Sequence, residues 1–125
     1  MIKKTVKYTD FNGTERTEDF YFNLTKAELT EMELGVDGGM KKLLEQIIAE
    51  KDQAKIVEYF KRIVLLAYGE KSIDGRKFLK SEEIRNGFAP TEPYSIIFME
   101  LATNADKASE FINGIMPQID ETQNV

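Results

Sequence analysis

Asp52-Gln53-Ala54-Lys55-Ile56-Val57-Glu58-Tyr59-Phe60-Lys61-Arg62-Ile63-Val64-Leu65-Leu66-Ala67-Tyr68-Gly69 is the stretch on which the reading of this chain turns. Ile56, Val57, Phe60, Ile63, Val64 and Ala67 recur at steps of three and four, the period that brings side chains to one face of an α-helix. Leu65 and Leu66 widen that stripe. Asp52 stands where a side chain can cap the first free N–H groups, and Gly69 where a helix commonly stops, so the spacing predicts a helix from about Gln53 to Tyr68. A stripe this broad needs neighbours on more than one side, which makes this the expected central core helix.

Upstream, Met40, Leu43, Leu44, Ile47 and Ile48 form a second amphipathic helix behind Gly38 and Gly39. Thr25 followed by Glu28 is a capping box, with Leu24 and Leu29 in the positions of a hydrophobic staple, so a third helix starts at Lys26. Leu29 and Met32 face inward there, and Gly35 closes it. Before it the period changes. Ile2, Val6 and Tyr8 alternate with polar residues, as do Phe20, Phe22 and Leu24, and Asp10-Phe11-Asn12-Gly13-Thr14 between them is a hairpin signal. A lone two-stranded ribbon is marginal in water, so its apolar face must lie on helices or its edge must pair with another chain.

Downstream, Ser72 to Leu79 reads as a small hairpin or an irregular excursion around Asp74-Gly75. Ser81 starts a short helix that Gly87 closes. A helix from Glu92 to about Ala102 has Pro93 in its first turn and Tyr94, Ile97, Phe98 and Leu101 on one face. Thr103 or Asn104 caps a last helix, with Ala108, Phe111, Ile112 and Ile115 inward and Pro117 at its end. The expected fold is therefore α+β: a mainly α-helical single domain with an N-terminal β-hairpin, the first hairpin being its only substantial sheet. Residues 1–117 form the domain (hairpin 1–24, helical part 25–117), and 118–125 form a flexible polar tail. Its core rests on Leu44, Ile48, Phe60, Ile63, Val64, Phe98, Leu101 and Phe111.

Composition narrows the chemistry. The 125 residues include 22 acidic and 17 basic side chains, a net charge of -5, and no Cys or His. Thiol catalysis, Cys/His zinc sites and every mechanism that needs imidazole are excluded. A domain of this size buries enough surface to need neither disulfide nor metal. Lys3 and Lys4 lack the apolar segment of a secretory signal, and no run approaches the roughly 20 apolar residues of a membrane span, so a cytosolic protein is expected. The sequons at Asn12 and Asn23 are then chance matches.

Three constellations deserve a chemical reading. Gly35-Val36-Asp37-Gly38-Gly39-Met40-Lys41-Lys42 has the ingredients of a phosphate cradle, but it follows a helix and carries Asp37, so it reads as a connector. Glu82 with Glu83, and Asp106 with Glu110, are carboxylate pairs on faces expected to be solvated, so an enzyme using carboxylates and a metal is disfavoured. Lys61 and Arg62 are offset by Glu58 in an acidic chain, which argues against nucleic acid. The eight Phe and five Tyr cluster at the hairpin, around Tyr59-Phe60, and from Phe88 to Phe98. Ile96 and Met99 lie off the Tyr94/Ile97/Phe98/Leu101 stripe; either they face a second helix of the same chain or they are exposed for another protein. Tyr94, Ile96 and Met99 are the candidate partner contacts; no catalytic, cofactor or metal residue is assigned.

Taken together, Tyr8-Thr9-Asp10-Phe11-Asn12-Gly13, Leu24-Thr25-Lys26-Ala27-Glu28-Leu29, Tyr68-Gly69 with Asp74-Gly75-Arg76 and Phe78, Tyr94-Ser95 with Phe98-Met99-Glu100-Leu101-Ala102, and Phe111-Ile112-Asn113-Gly114 before Pro117 resemble the small tail assembly chaperones of long-tailed bacteriophages. The resemblance implies a non-enzymatic factor in the host cytoplasm, absent from the mature virion. It further implies that the factor binds the tape measure protein, keeps it soluble and helps recruit tail tube protein; a homo-oligomer is compatible with it. The competing non-enzymatic reading is a structural head-tail or tail component.

Overall fold

A computed structural model describes residues 1–33 and 39–117. The elements run β1 (Ile2–Thr9), β2 (Glu15–Phe22), α1 (Lys26–Glu33), α2 (Met40–Glu50), α3 (Gln53–Ala67), β3 (Tyr68–Lys71), β4 (Phe78–Leu79), α4 (Glu82–Phe88), α5 (Glu92–Thr103) and α6 (Ala105–Ile115). The stop at Gly35, most of the glycine-rich connector, the inward face of Met32 and the tail 118–125 lie outside the described residues.

The first hairpin closes as its turn chemistry dictates. Gly13 takes φ 83° and its N–H reaches the Asp10 carbonyl at 2.9 Å, while the Asp10 carboxylate accepts from the N–H groups of Asn12 and Thr14. At the other end the capping box forms in both directions: the Thr25 N–H donates to Glu28 Oε1 at 2.9 Å and the Glu28 N–H to Thr25 Oγ1 at 3.1 Å. Asp52, Ser81, Thr91 and Asn104 cap α3, α4, α5 and α6 through their side chains. Asn104, rather than Thr103, thus makes the last cap.

The hairpin is not the whole sheet. β3 and β4 extend it into an antiparallel sheet of order β1-β2-β3-β4. The join is narrow, Tyr21 opposite Gly69 and Phe22 opposite Tyr68. Gly69 therefore does not end a helix. α3 stops at Ala67, Tyr68 is already extended, and Gly69 lies buried in β3, where an added Cβ would stand 2.7 Å from the Phe78 ring and 2.9 Å from the Leu79 carbonyl oxygen. The glycine is needed for close approach, not for a turn. Gly87 likewise does not close α4, which continues through it to Phe88.

The helices cover one side of the sheet. α5 packs on β1, α3 and α6, and α6 touches both β1 and α2. The ends of two helices are tied to the segment that leaves β2: the Asn23 N–H donates to the Ala67 carbonyl and the Leu24 N–H to the Ile115 carbonyl, both at 2.9 Å, satisfying groups a helix C-terminus leaves free. Beside this junction Lys80 donates to the Asn23 carbonyl at 2.6 Å and to Glu28 Oε2 at 2.7 Å. Burial alone would raise the Glu28 carboxyl, but the hydrogen bonds from Lys80 and Thr25 outweigh it and hold the group below its ordinary value. Burial also pushes the Lys80 ammonium down, against the pull of Glu28.

Phe22, Leu24, Leu44, Phe60, Phe111 and Ile115 are among the fully enclosed side chains. Of the expected core residues Leu44, Phe60, Ile63, Val64, Leu101 and Phe111 are buried, whereas Ile48 and Phe98 are partly buried at its margin. Val57, counted in the central stripe, is 44% exposed. It sits one residue past Ile56, about 100° further round α3, where no described residue closes over it.

Candidate partner-binding surface

α5 is the helix on which the candidate contacts lie, and its start is firmly held. Thr91 accepts from the Tyr94 N–H and its hydroxyl donates to the Phe88 carbonyl at 2.7 Å, while Pro93 is buried in the first turn. Ile97, Leu101 and Ala102 face the core. One flank joins a row of rings: Phe20 lies 5.5 Å from Phe88, Phe88 stacks on Tyr68 at 3.9 Å, Tyr94 meets Phe88 edge-on at 5.5 Å, and Phe98 follows at 6.1 Å. Burial raises the Tyr94 hydroxyl above its ordinary pKa.

No described residue covers the other flank. Ile96 is 37% exposed and Met99, three residues on, is 51% exposed. The structure therefore brings Ile96 and Met99 together and places Tyr94 apart, roughly 160° round the axis from Ile96 at 3.6 residues per turn. Of the two alternatives for Ile96 and Met99, exposure is the one observed. Glu100, one turn after Ile96, accepts from Lys4 Nζ at 2.7 Å, which fixes this flank beside β1. The alternation that turns Ile2, Val6 and Tyr8 inward turns Lys4 inward as well; its partner lies 96 residues away, and no local pattern announces that pairing.

One concave region lies before the helix, reaching its cap at Thr91, and another borders its last turn. A groove of about 570 Å³ has Phe20, Tyr68 and Phe88 among its apolar lining and Glu70, Ser81 and Glu83 among its polar lining. A cleft of about 200 Å³ lies between Ile48, Ile56, Leu101 and Ala108. Sequence reasoning passed over Phe11, which is 82% exposed at the hairpin tip; its place among turn residues was the available signal.

The polar groups are dispersed. Among the described residues no polar or charged side chain is fully buried, and no three His, Cys, Asp or Glu side chains gather where a metal could be held. Glu82, Glu83, Asp106 and Glu110 are exposed, and Glu110 stands 3.8 Å from Lys107. Among the described residues no helix is long and apolar enough to cross a membrane.

A well-anchored helix with one apolar flank left open is what this small α+β domain offers to its surroundings. The chain belongs to the phage tail assembly chaperone family, whose model matches residues 1–123. No curated protein and no solved structure matches it.

Proposed function

We propose that this chaperone binds the tape measure protein during tail morphogenesis, keeps its apolar helices soluble and helps recruit tail tube protein. It does so by binding, without chemistry, in the cytoplasm of the infected bacterium, and leaves before the virion is complete. The observation that carries this reading is the family match over nearly the whole chain. The surface adds a mechanism: Ile96 and Met99 form the main apolar contact, with Tyr94 a separate one on the opposite flank. A flexible Met beside an aliphatic neighbour accommodates an apolar client segment of loosely defined shape. Net charge of -5 keeps the complex dispersed.

Co-expression with the tape measure protein tests this reading. The wild-type pair should co-purify, and Ile96→Asp should abolish co-purification while leaving the domain folded, since the side chain is already partly in water. Loss of folding would assign Ile96 to the core, and failure of the wild-type pair to co-purify would refute the reading.

A further inference from the structure

Among the described residues β1 is an edge strand along its full length. The Asp10 N–H bonds the Thr14 carbonyl at 2.8 Å, and counting back along the register, where bonded and non-bonded pairs alternate, leaves Lys3, Thr5, Lys7 and Thr9 with both backbone groups turned away from β2. Among the described residues no other element donates to or accepts from these groups. Their side chains all lie exposed on the face of the sheet away from the helices.

Two further observations say what fits this edge. The first is charge: in a chain of net charge -5, the strand Ile-Lys-Lys-Thr-Val-Lys-Tyr-Thr carries three lysines and no acid. A second copy is a poor occupant. Two β1 edges joined antiparallel about Thr5 would set Lys3 opposite Lys7 twice over, and the other edge of the sheet, β4, is preceded by Arg76 and Lys77; like charges directly opposite destabilise a pair. The second is the neighbouring floor. Ile96 precedes Glu100 by one turn, and Glu100 is bonded to Lys4, so the exposed apolar flank of α5 runs beneath the open edge.

We infer that β1 accepts an extended segment of another protein as an added strand, with acidic side chains beside Lys3 and Lys7 and apolar ones turned inward over Ile96. This rests on the reading of the α5 flank as a contact surface and adds to it the conformation and charge of what docks there. Main-chain hydrogen bonds supply affinity, and the alternating side chains supply selectivity. The lysines then act in both directions, opposing self-association through the edge and favouring an acidic strand.

The probes are two acetylated peptides of the strand's own length, one alternating Glu with Val and one alternating Lys with Val, titrated into the full chain and followed at its backbone amides. The Glu-Val peptide should perturb and protect the amides of Lys3, Thr5, Lys7 and Thr9, and the Lys-Val peptide should not. Thr5→Pro removes one outward N–H without touching the β2 ladder and should weaken binding about tenfold, while Thr5→Val should stay within about twofold of wild type. Lys3→Glu combined with Lys7→Glu changes only exposed side chains, so it decides the matter even if the proline variant does not fold; it should invert the peptide preference. No amide response to Glu-Val, equal responses to both peptides, or an unchanged preference in the charge-reversed variant would each overturn the inference. If Ile96→Asp abolishes tape measure co-purification while the charge-reversed variant preserves it, the α5 reading stands and the added strand is wrong for that client.

Discussion

At the base of the first hairpin Phe22 is wholly enclosed, its ring 5.7 Å from Tyr68, 5.9 Å from Phe88 and 5.3 Å from Phe111. At the tip Phe11 stands in solvent, and the backbone around it is held by the Asp10 carboxylate, which also accepts from Arg16 Nε at 2.6 Å. One ladder is thus fastened in two ways. Its base is tied to residues as distant as Phe111 and shares in the cooperative stability of the whole domain. Its tip depends on contacts within a few residues and can loosen without unfolding the rest.

The largest separation between the two ends should come from trimming each aromatic. Phe22→Ala is expected to cost about 3–5 kcal/mol, a large share of a small domain's stability, and Phe60→Ala a similar amount. Phe11→Ala should stay within about 0.5 kcal/mol. Equal losses at Phe11 and Phe22 in thermal or urea melts would erase the distinction between base and tip.

A smaller effect is expected where β3 joins the base. Gly69→Ala forces a methyl against the Phe78 ring and the Leu79 carbonyl, and should cost about 1–3 kcal/mol. Amide exchange at Ser72 and Lys77, which close the β3–β4 turn, should quicken with it. A variant as stable as wild type would contradict the close packing of β3 on β4.

The smallest effect is local and depends on pH. Arg16 first, and then the N–H groups of Thr14 and Asn12, hold the Asp10 carboxyl below its ordinary value. A folded-state pKa below the unfolded one means that the carboxylate's contribution is complete above the ordinary aspartate range and is lost as pH falls through the lowered value. Acid should therefore release the Asn12 and Thr14 amides, and Asp10→Asn should remove that dependence. Glu28 at the base is depressed as well, so the same acid range should weaken the Lys80 junction. Tip amides that keep their shifts throughout this titration would show that the Asp10 contacts do not order the turn.

Local chemistry was legible in the sequence and distant pairing was not. The Asn12-Gly13 turn, the Thr25/Glu28 box and the Asp52 and Ser81 caps each join residues only a few positions apart, so spacing alone reveals them. The addition of β3 to β2 rests on two residue pairs some fifty positions apart, and Gly69 looks the same whether it stops a helix or admits a ring. Alternation turns Lys4 inward with Ile2, Val6 and Tyr8, but its partner Glu100 lies 96 residues away and leaves no local sign. Periodicity separated Ile96 and Met99 from the buried stripe of α5, but whether another helix covered them depended on how α3 and α6 were placed. Tyr94 is different: helical spacing alone sets it on the opposite flank, with the Ile97/Phe98/Leu101 stripe, so grouping it with Ile96 and Met99 ran against a signal the sequence already carried.

The most direct measurement is the soluble fraction of the tape measure protein when it is expressed with and without this chain. The wild-type chain should keep it in the supernatant, and a folded Ile96→Asp variant should leave it in the pellet, as if no chaperone were present. Equal solubility with the variant would place the binding surface elsewhere, and equal solubility without any chaperone would contradict the proposed function.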